Sequence, residues 1–166
     1  MPGQHARLSP SASKGWMACA GRLALEAAYP NLSNEHSDKG TACHFVAAQV
    51  LTSVTGQIEA ADYLDDPILV SDEGEPKRYV QFSADLVEMT QGYCDEINAL
   101  RKLAVVVMIE TRVEFSRHVG VDDQFGTADV IMLQQLLVDE GEGYELAVCD
   151  LKTGYHWVDA GENSQL

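Results

Sequence analysis

Residues 104–115, AVVVMIETRVEF, residues 126–133, GTADVIML, and residues 144–151, YELAVCDL, decide how this chain folds. The first opens as an uninterrupted β-branched run, as a strand covered on both faces does; the other two are short, apolar and bounded by turn residues. Between them, HVGVDDQ and VDEGEG carry the glycines and aspartates of turns, so the last two strands read as a hairpin. Upstream the apolar spacing changes to three and four residues. Leu86, Met89, Tyr93, Ile97 and Leu100 form a helical stripe that Ser83 can cap. A second helix is expected from about Lys39 to Thr41, carrying Phe45, Val46, Val50, Leu51 and Val54 and stopping at Gly56. A first, capped among Ser9, Ser11 and Ser13, places Trp16, Ala20, Leu23 and Ala27 on one side and runs to about Ala28, before Pro30. Three helices followed by three strands predict an α+β domain, a sheet buttressed by helices.

The chain has 166 residues, 46% of them hydrophobic and 22% charged, a composition of globular proteins. At that length roughly 70% of the unfolded surface can be buried, so a single domain over residues 1–166 is expected, with helices in 1–56, an acidic loop or insertion in 57–82 and a helix plus sheet core in 83–166. No apolar run reaches membrane-spanning length, and MPGQHARLSPSASK lacks the apolar stretch of a signal peptide, which predicts an intracellular protein with no membrane partner. The net charge is −15, which taken alone opposes nucleic-acid binding. Its distribution is uneven: residues 1–40 carry a local net of +1, and the densest acidity lies between Glu59 and Glu75. Cys19, Cys43, Cys94 and Cys149 form no CxxC pair and read as reduced, mostly buried thiols. A zinc site from Cys19, Cys43, His44 and Cys94 lacks the usual ligand spacing.

Asp129 and Asp150 stand in otherwise apolar strands, where a carboxylate is costly without a partner. Alternation puts Asp150 and Lys152 on one face, and hairpin pairing brings Asp129 beside them. Two readings follow: an Asp150–Lys152 ion pair at the sheet edge, or a divalent cation held by both carboxylates with the lysine alongside. His44 on an apolar helix reads from its surroundings as a core histidine. Glu110 and Glu114 alternate on the first strand, where a polar strand face or an approach to a metal explains them equally. Arg7, Lys14 and Arg22, on the segment that is not acidic, are candidate DNA-phosphate contacts. Trp16 reads as core, and Trp157 as sheet packing or cleft border.

GTADVI followed by CDLKTG resembles motifs II and III of the PD-(D/E)XK nuclease superfamily in its RecB-like branch: GxxD at Gly126 to Asp129, D-x-K at Asp150 to Lys152. Gln165 falls where that branch carries its glutamine, and GTACH resembles its GT-x-x-H element, with His44 in the histidine position. SPSASKGWMACAGRLALE is similar to the N-terminal helix of phage proteins of this superfamily. The resemblance implies a restriction-endonuclease-like core, a central mixed sheet of three or more strands with flanking helices. It implies a metal-dependent DNA nuclease, of exonuclease type, working in phage recombination or replication in the cytoplasm of a bacterial host. It makes His44, Asp129, Asp150 and the Leu151 carbonyl ligands of Mg²⁺ or Mn²⁺, Lys152 the group that positions or polarises water, and Gln165 an orienting residue. No iron–sulfur cluster is expected, because no late cysteine triplet accompanies Cys19. In the branch the glutamine opens a further helix, whereas this chain stops at Leu166, so the resemblance implies a core cut short and an apolar sheet face open to self-association or a partner chain. The alternative function is a catalytically inactive acidic protein, a DNA mimic or a protein-binding scaffold.

Overall fold

The computed structural model describes residues 6–19, 21–29, 33–54, 56–71, 76–138 and 141–153. A 3-10 turn at Pro10–Ala12 leads into helix α1 (Ser13–Ala18), followed by α2 (Arg22–Ala28) and the long α3 (Glu35–Thr52). A second 3-10 turn, Ala60–Tyr63, precedes strands β1 (Pro67–Leu69) and β2 (Tyr79–Gln81). Helix α4 (Ala84–Leu100) and a 3-10 turn then lead to β3 (Ala104–Glu114), the short α5 (Ser116–Val119), β4 (Phe125–Val138) and β5 (Gly141–Cys149).

The α+β order matches the expectation, and the three long strands lie side by side as β3-β4-β5. Both pairings are antiparallel, so among the described residues the sheet is antiparallel where the resemblance implies a mixed one. Antiparallel strands can leave one face open, and that is the outcome for β3. Val107 and Ile109 turn towards the core, whereas Val106 and Met108 are exposed, in place of a strand covered on both faces. On β4, Val130, Met132 and Gln134 alternate inward, all buried.

The expected first helix is broken. Cys19, at the end of α1, is extended, and the chain restarts at Gly21. The Arg22 guanidinium folds over Gly15, 1.8 Å from where a Cβ would stand, although the end of this exposed side chain could shift to make room. Helix α3 starts earlier than its apolar stripe, because Asn34 accepts a hydrogen bond from the Ser37 N–H at 3.0 Å and Glu35 and Asp38 favour the positive end of the helix dipole. It ends at Thr52, before Gly56. Helix α4 begins after Ser83 as expected, although the serine side chain makes no capping bond. Its buried line is Leu86, Thr90, Cys94 and Ile97, with Met89 and Leu100 left exposed.

The segment 57–82 needs correction. Rather than being only a solvated loop, it folds as the β1–β2 hairpin, paired from Pro67↔Gln81 to Leu69↔Tyr79, and sends Ala60, Ile68, Val70, Val80 and Phe82 into the same core as α3, α4 and the sheet. The alternation is brief: exposed Leu69 and Gln81 separate buried Ile68 from Val70 and buried Val80 from Phe82, next to the acidic run Asp62, Asp65 and Asp66. Cys43 and Cys94 are buried, Cys149 partly so, and Cys19 is exposed.

Two contacts tie the N-terminal segment to the start of β4. The Leu8 N–H donates to Gln124 Oε1 at 2.7 Å. Gly126 lies against Pro10, whose Cγ would stand 2.6 Å from a Cβ at that position. The glycine of GTAD is therefore dictated by close packing.

Candidate metal centre

His44 stands on the inner side of α3, one residue past the buried Cys43. Gly40, a turn earlier, lets the segment after β5 come close: a Cβ there would meet Thr153 Oγ1 at 3.2 Å. The helix thus lies against the chain leaving the D-x-K strand. His44 Nδ1 is 3.3 Å from Asp129 Oδ1, and the Asp129 side chain is only 12% exposed. The other carboxylate oxygen, Oδ2, accepts a hydrogen bond from the Leu151 N–H at 2.6 Å. One buried carboxylate therefore joins α3, β4 and the end of β5, and both its oxygens have partners, as burial demands.

Glu110 is the third member. Register pairs Ile109 with Val130 and Thr111 with Ala128, which sets Glu110 across from Asp129. There the ladder is interrupted, and Glu110 has φ 47°, a left-handed conformation that a glutamate seldom adopts. Such strain costs on the order of 1–3 kcal/mol and persists only where the surroundings impose it. The His44 nitrogen and one oxygen each from Glu110 and Asp129 lie within 4.8 Å of one another, the group of metal-ligand type found among the described residues.

Electrostatics agree with this crowding. Burial disfavours the charged form of His44, but the hydrogen bond to Asp129 and the charges of Asp129, Glu110 and Asp150 outweigh it, so its pKa is raised. Burial and the facing Asp129 raise the Glu110 carboxyl, with His44 pulling it back. A divalent cation would relieve the same repulsion. Adjacent donors on an octahedral cation with bonds of about 2.1 Å stand about 3.0 Å apart, and opposite ones about 4.2 Å. One nitrogen and two carboxylate oxygens at the observed spacings fit such an ion after a small contraction, and the imidazole favours Mn²⁺ somewhat over Mg²⁺.

The other expected residues are placed as follows. Asp150 and Lys152 meet at 2.6 Å, the ion pair that alternation predicts. Asp150, just after β5 ends at Cys149, is not a member of the His44–Glu110–Asp129 group, although its charge still reaches His44. Leu151 enters through its N–H. Glu114 turns away to Arg112. No cysteine takes part in the group, so the zinc set around Cys43 does not form among the described residues. Arg7 and Lys14 are exposed. Arg22 is exposed and pairs with Glu26 one turn along α2. Trp16 is half-buried and donates its indole N–H to the Ser9 carbonyl at 3.0 Å. Gln165 and Trp157 lie outside the described residues.

Glu110 was indistinguishable from Glu114 by alternation alone, since only the register with β4 separates them. Tyr93, read as helix stripe, also lines the crevice, with His44, Glu110, Asp129 and Leu151. Burial, and then the nearby charges of Asp129, Cys149 and Asp150, raise its pKa far above the ordinary phenol value.

The fold and this crevice define an α+β domain that gathers an imidazole and two carboxylates between a helix and an antiparallel sheet. A family profile matches residues 5–166, and the chain belongs to that family, DUF2800, described as proteins of unknown function. No solved structure matches the chain. No helix among the described residues is long and apolar enough to cross a membrane.

Proposed function

We propose that the chain is a divalent-cation-dependent DNA nuclease of the PD-(D/E)XK type, hydrolysing phosphodiester bonds. The observation that carries the reading is the meeting of His44 and Asp129, two residues of the resemblance that stand far apart in sequence, at 3.3 Å in a crevice. Glu110 extends the donor set beyond what the motifs supply. When bound, Mg²⁺ or Mn²⁺ supplies a water of lowered pKa and neutralises charge on the scissile phosphate. Asp129 holds the His44 ring through Nδ1 and is itself held by Leu151, so the donor geometry is preset. Lys152, resting against Asp150, offers its ammonium to the negative charge that develops on the phosphate. Arg7 and Lys14 are exposed cations of residues 1–40, which escape the acidity of the chain as a whole, and would meet the DNA backbone.

The net charge of −15 favours a second reading, an inactive acidic protein that mimics DNA or binds another protein. Incubation of wild type, Asp129→Ala and Lys152→Ala with linear single- and double-stranded DNA and Mg²⁺ or Mn²⁺ decides between them. The nuclease reading expects cleavage by wild type and a loss of at least about 100-fold in each variant. Equal products from all three proteins, or none from any, would sink it.

A further inference from the structure

We infer that Arg7, Arg112 and Arg117 form a phosphate-binding track that leads a DNA strand to the candidate metal centre. The inference rests on the nuclease reading above and names the surface which that reading needs. The three arginines come from three segments, and one buried residue, Gln124, gathers them. Its side-chain oxygen accepts the Leu8 N–H at 2.7 Å, which anchors the segment carrying Arg7. Its own N–H donates to Ser116 Oγ at 2.7 Å, which anchors α5 and Arg117. The next residue, Phe125, lies under the Arg112 guanidinium, 3.5 Å from ring centroid to Cζ. All three arginines are exposed. Arg112 donates from Nε to Glu114 at 2.5 Å, so ring and carboxylate fix the guanidinium and leave its Nη groups, the fork that grips phosphate, without a hydrogen-bond partner among the described residues. The other arginines are spent within the chain: Arg22 on Glu26, Arg78 on Asp38, Arg101 on the Leu51 carbonyl and Asn98. Arg7 and Arg117 have no ion pair among the described residues.

The track adjoins the candidate centre. Alternation along β4 puts Phe125 and Thr127 on the face that carries Asp129, and Thr127 pairs in register with Arg112. Arg112 follows Glu110 by two residues on β3, about 7 Å along a strand that rises about 3.4 Å per residue. Nucleotides of one DNA strand rise by about the same 3.4 Å, so a backbone that reaches the cation has a phosphate about two steps away at Arg112. Glu114, Asp122 and Asp123 border the arginines. Three cations beside three carboxylates leave this end of the sheet balanced in a chain of net charge −15, and a polyanion meets less repulsion here than over the chain as a whole.

The test is fluorescence anisotropy of a labelled DNA duplex across a salt series, in chelator so that nothing is cleaved. It compares wild type with Arg7→Gln, Arg112→Gln, Arg117→Gln and Lys102→Gln, the last an equal change of charge just before the opposite end of β3. Each arginine variant is expected to bind about tenfold more weakly and to reduce the slope of log affinity against log salt by about 1, whereas Lys102→Gln keeps both at the wild-type value. Arg112→Lys, which keeps the charge and loses the fork, recovers only part of the affinity. Wild type that binds no duplex at low salt, arginine variants that keep wild-type affinity and slope, or an equal loss in Lys102→Gln overturns the inference. Cleavage by wild type in Mn²⁺ judges the nuclease reading separately. Cleavage with unchanged binding in the arginine variants removes the track alone, and no cleavage by wild type removes the reading and the track with it.

Discussion

Replacing Glu110 with Gln tests the site through two effects of opposite sign. Gln keeps the shape and the left-handed backbone of the residue, so only the charge changes. Without metal, the Glu110 and Asp129 carboxylates stand with oxygens within 4.8 Å. Two unit charges at that separation repel by roughly 0.9 kcal/mol in water and roughly 3.5 kcal/mol at an effective dielectric of 20. Because Glu110 is exposed on one side and His44 offsets part of the charge, the low end applies, about 1 kcal/mol. In a domain of this size that is a rise of about 2–4 °C in melting temperature. The pH dependence has the same sign. The Glu110 pKa is raised in the folded protein, so the folded state holds its proton longer, and stability falls as pH climbs from the ordinary carboxylate value through the raised one. The gain from Glu110→Gln is therefore absent in acid and complete at neutral pH. With Mn²⁺ the ranking inverts. Loss of one ligand weakens binding at least about tenfold, which at saturating cation removes about 1.4 kcal/mol of the ligand-linked stabilisation. Differential scanning calorimetry of both proteins, with chelator and with Mn²⁺, reads both effects. If Glu110→Gln melts below wild type in chelator, or gains as much from Mn²⁺ as wild type does, the convergence of Glu110 and Asp129 on one ion is refuted.

Other outcomes follow from the same geometry. His44 is stabilised as imidazolium, so its contribution is complete below the ordinary value of 6.5 and disappears as pH rises through the raised folded value. The stability difference between wild type and His44→Gln, measured by urea unfolding without metal, should accordingly shrink with rising pH, and a constant difference contradicts the His44–Asp129 contact. Gly126→Ala forces a Cβ to 2.6 Å from Pro10 and should cost about 1–3 kcal/mol; Pro10→Ala in the same chain should recover part of it, and additive effects in the double-mutant cycle would show no contact. Phe82→Ala, at a fully buried position in the 57–82 segment, should cost about 3–5 kcal/mol in denaturant unfolding, whereas a residue of a solvated insertion would lose almost nothing.

The long elements were legible because their periodicities were uninterrupted: α4 starts after Ser83, and the three strands begin or end within a few residues of the apolar runs. What the sequence concealed has specific physical causes. The β1–β2 hairpin is only three residues a side, and each strand buries a single residue between exposed neighbours, too little for a pattern to emerge among Asp65, Asp66 and their neighbours. The polar first turn of α3 obscured its start, since Asn34 caps from a stretch with no apolar stripe. The break after α1 comes at the extended Cys19, a residue type that carries no helix-stop signal. At the site, His44 and Asp129 were recognisable from motif order. Glu110 was not, because its role depends on cross-strand register and on a backbone angle that no propensity suggests. The resemblance made Asp150 a metal ligand, and the contact the structure gives it is the ion pair with Lys152 that alternation alone predicts.

Asp129 binds His44 from one helix and the Leu151 N–H from the far side of the hairpin. A carboxylate with those two partners makes the crevice a long-range product of the fold, drawn from residues more than a hundred positions apart. A chain that ends before Leu151 lacks at least one of the partners that hold Asp129. Assembly of this site is thus coupled to the presence of α3, β4 and the segment after β5 together.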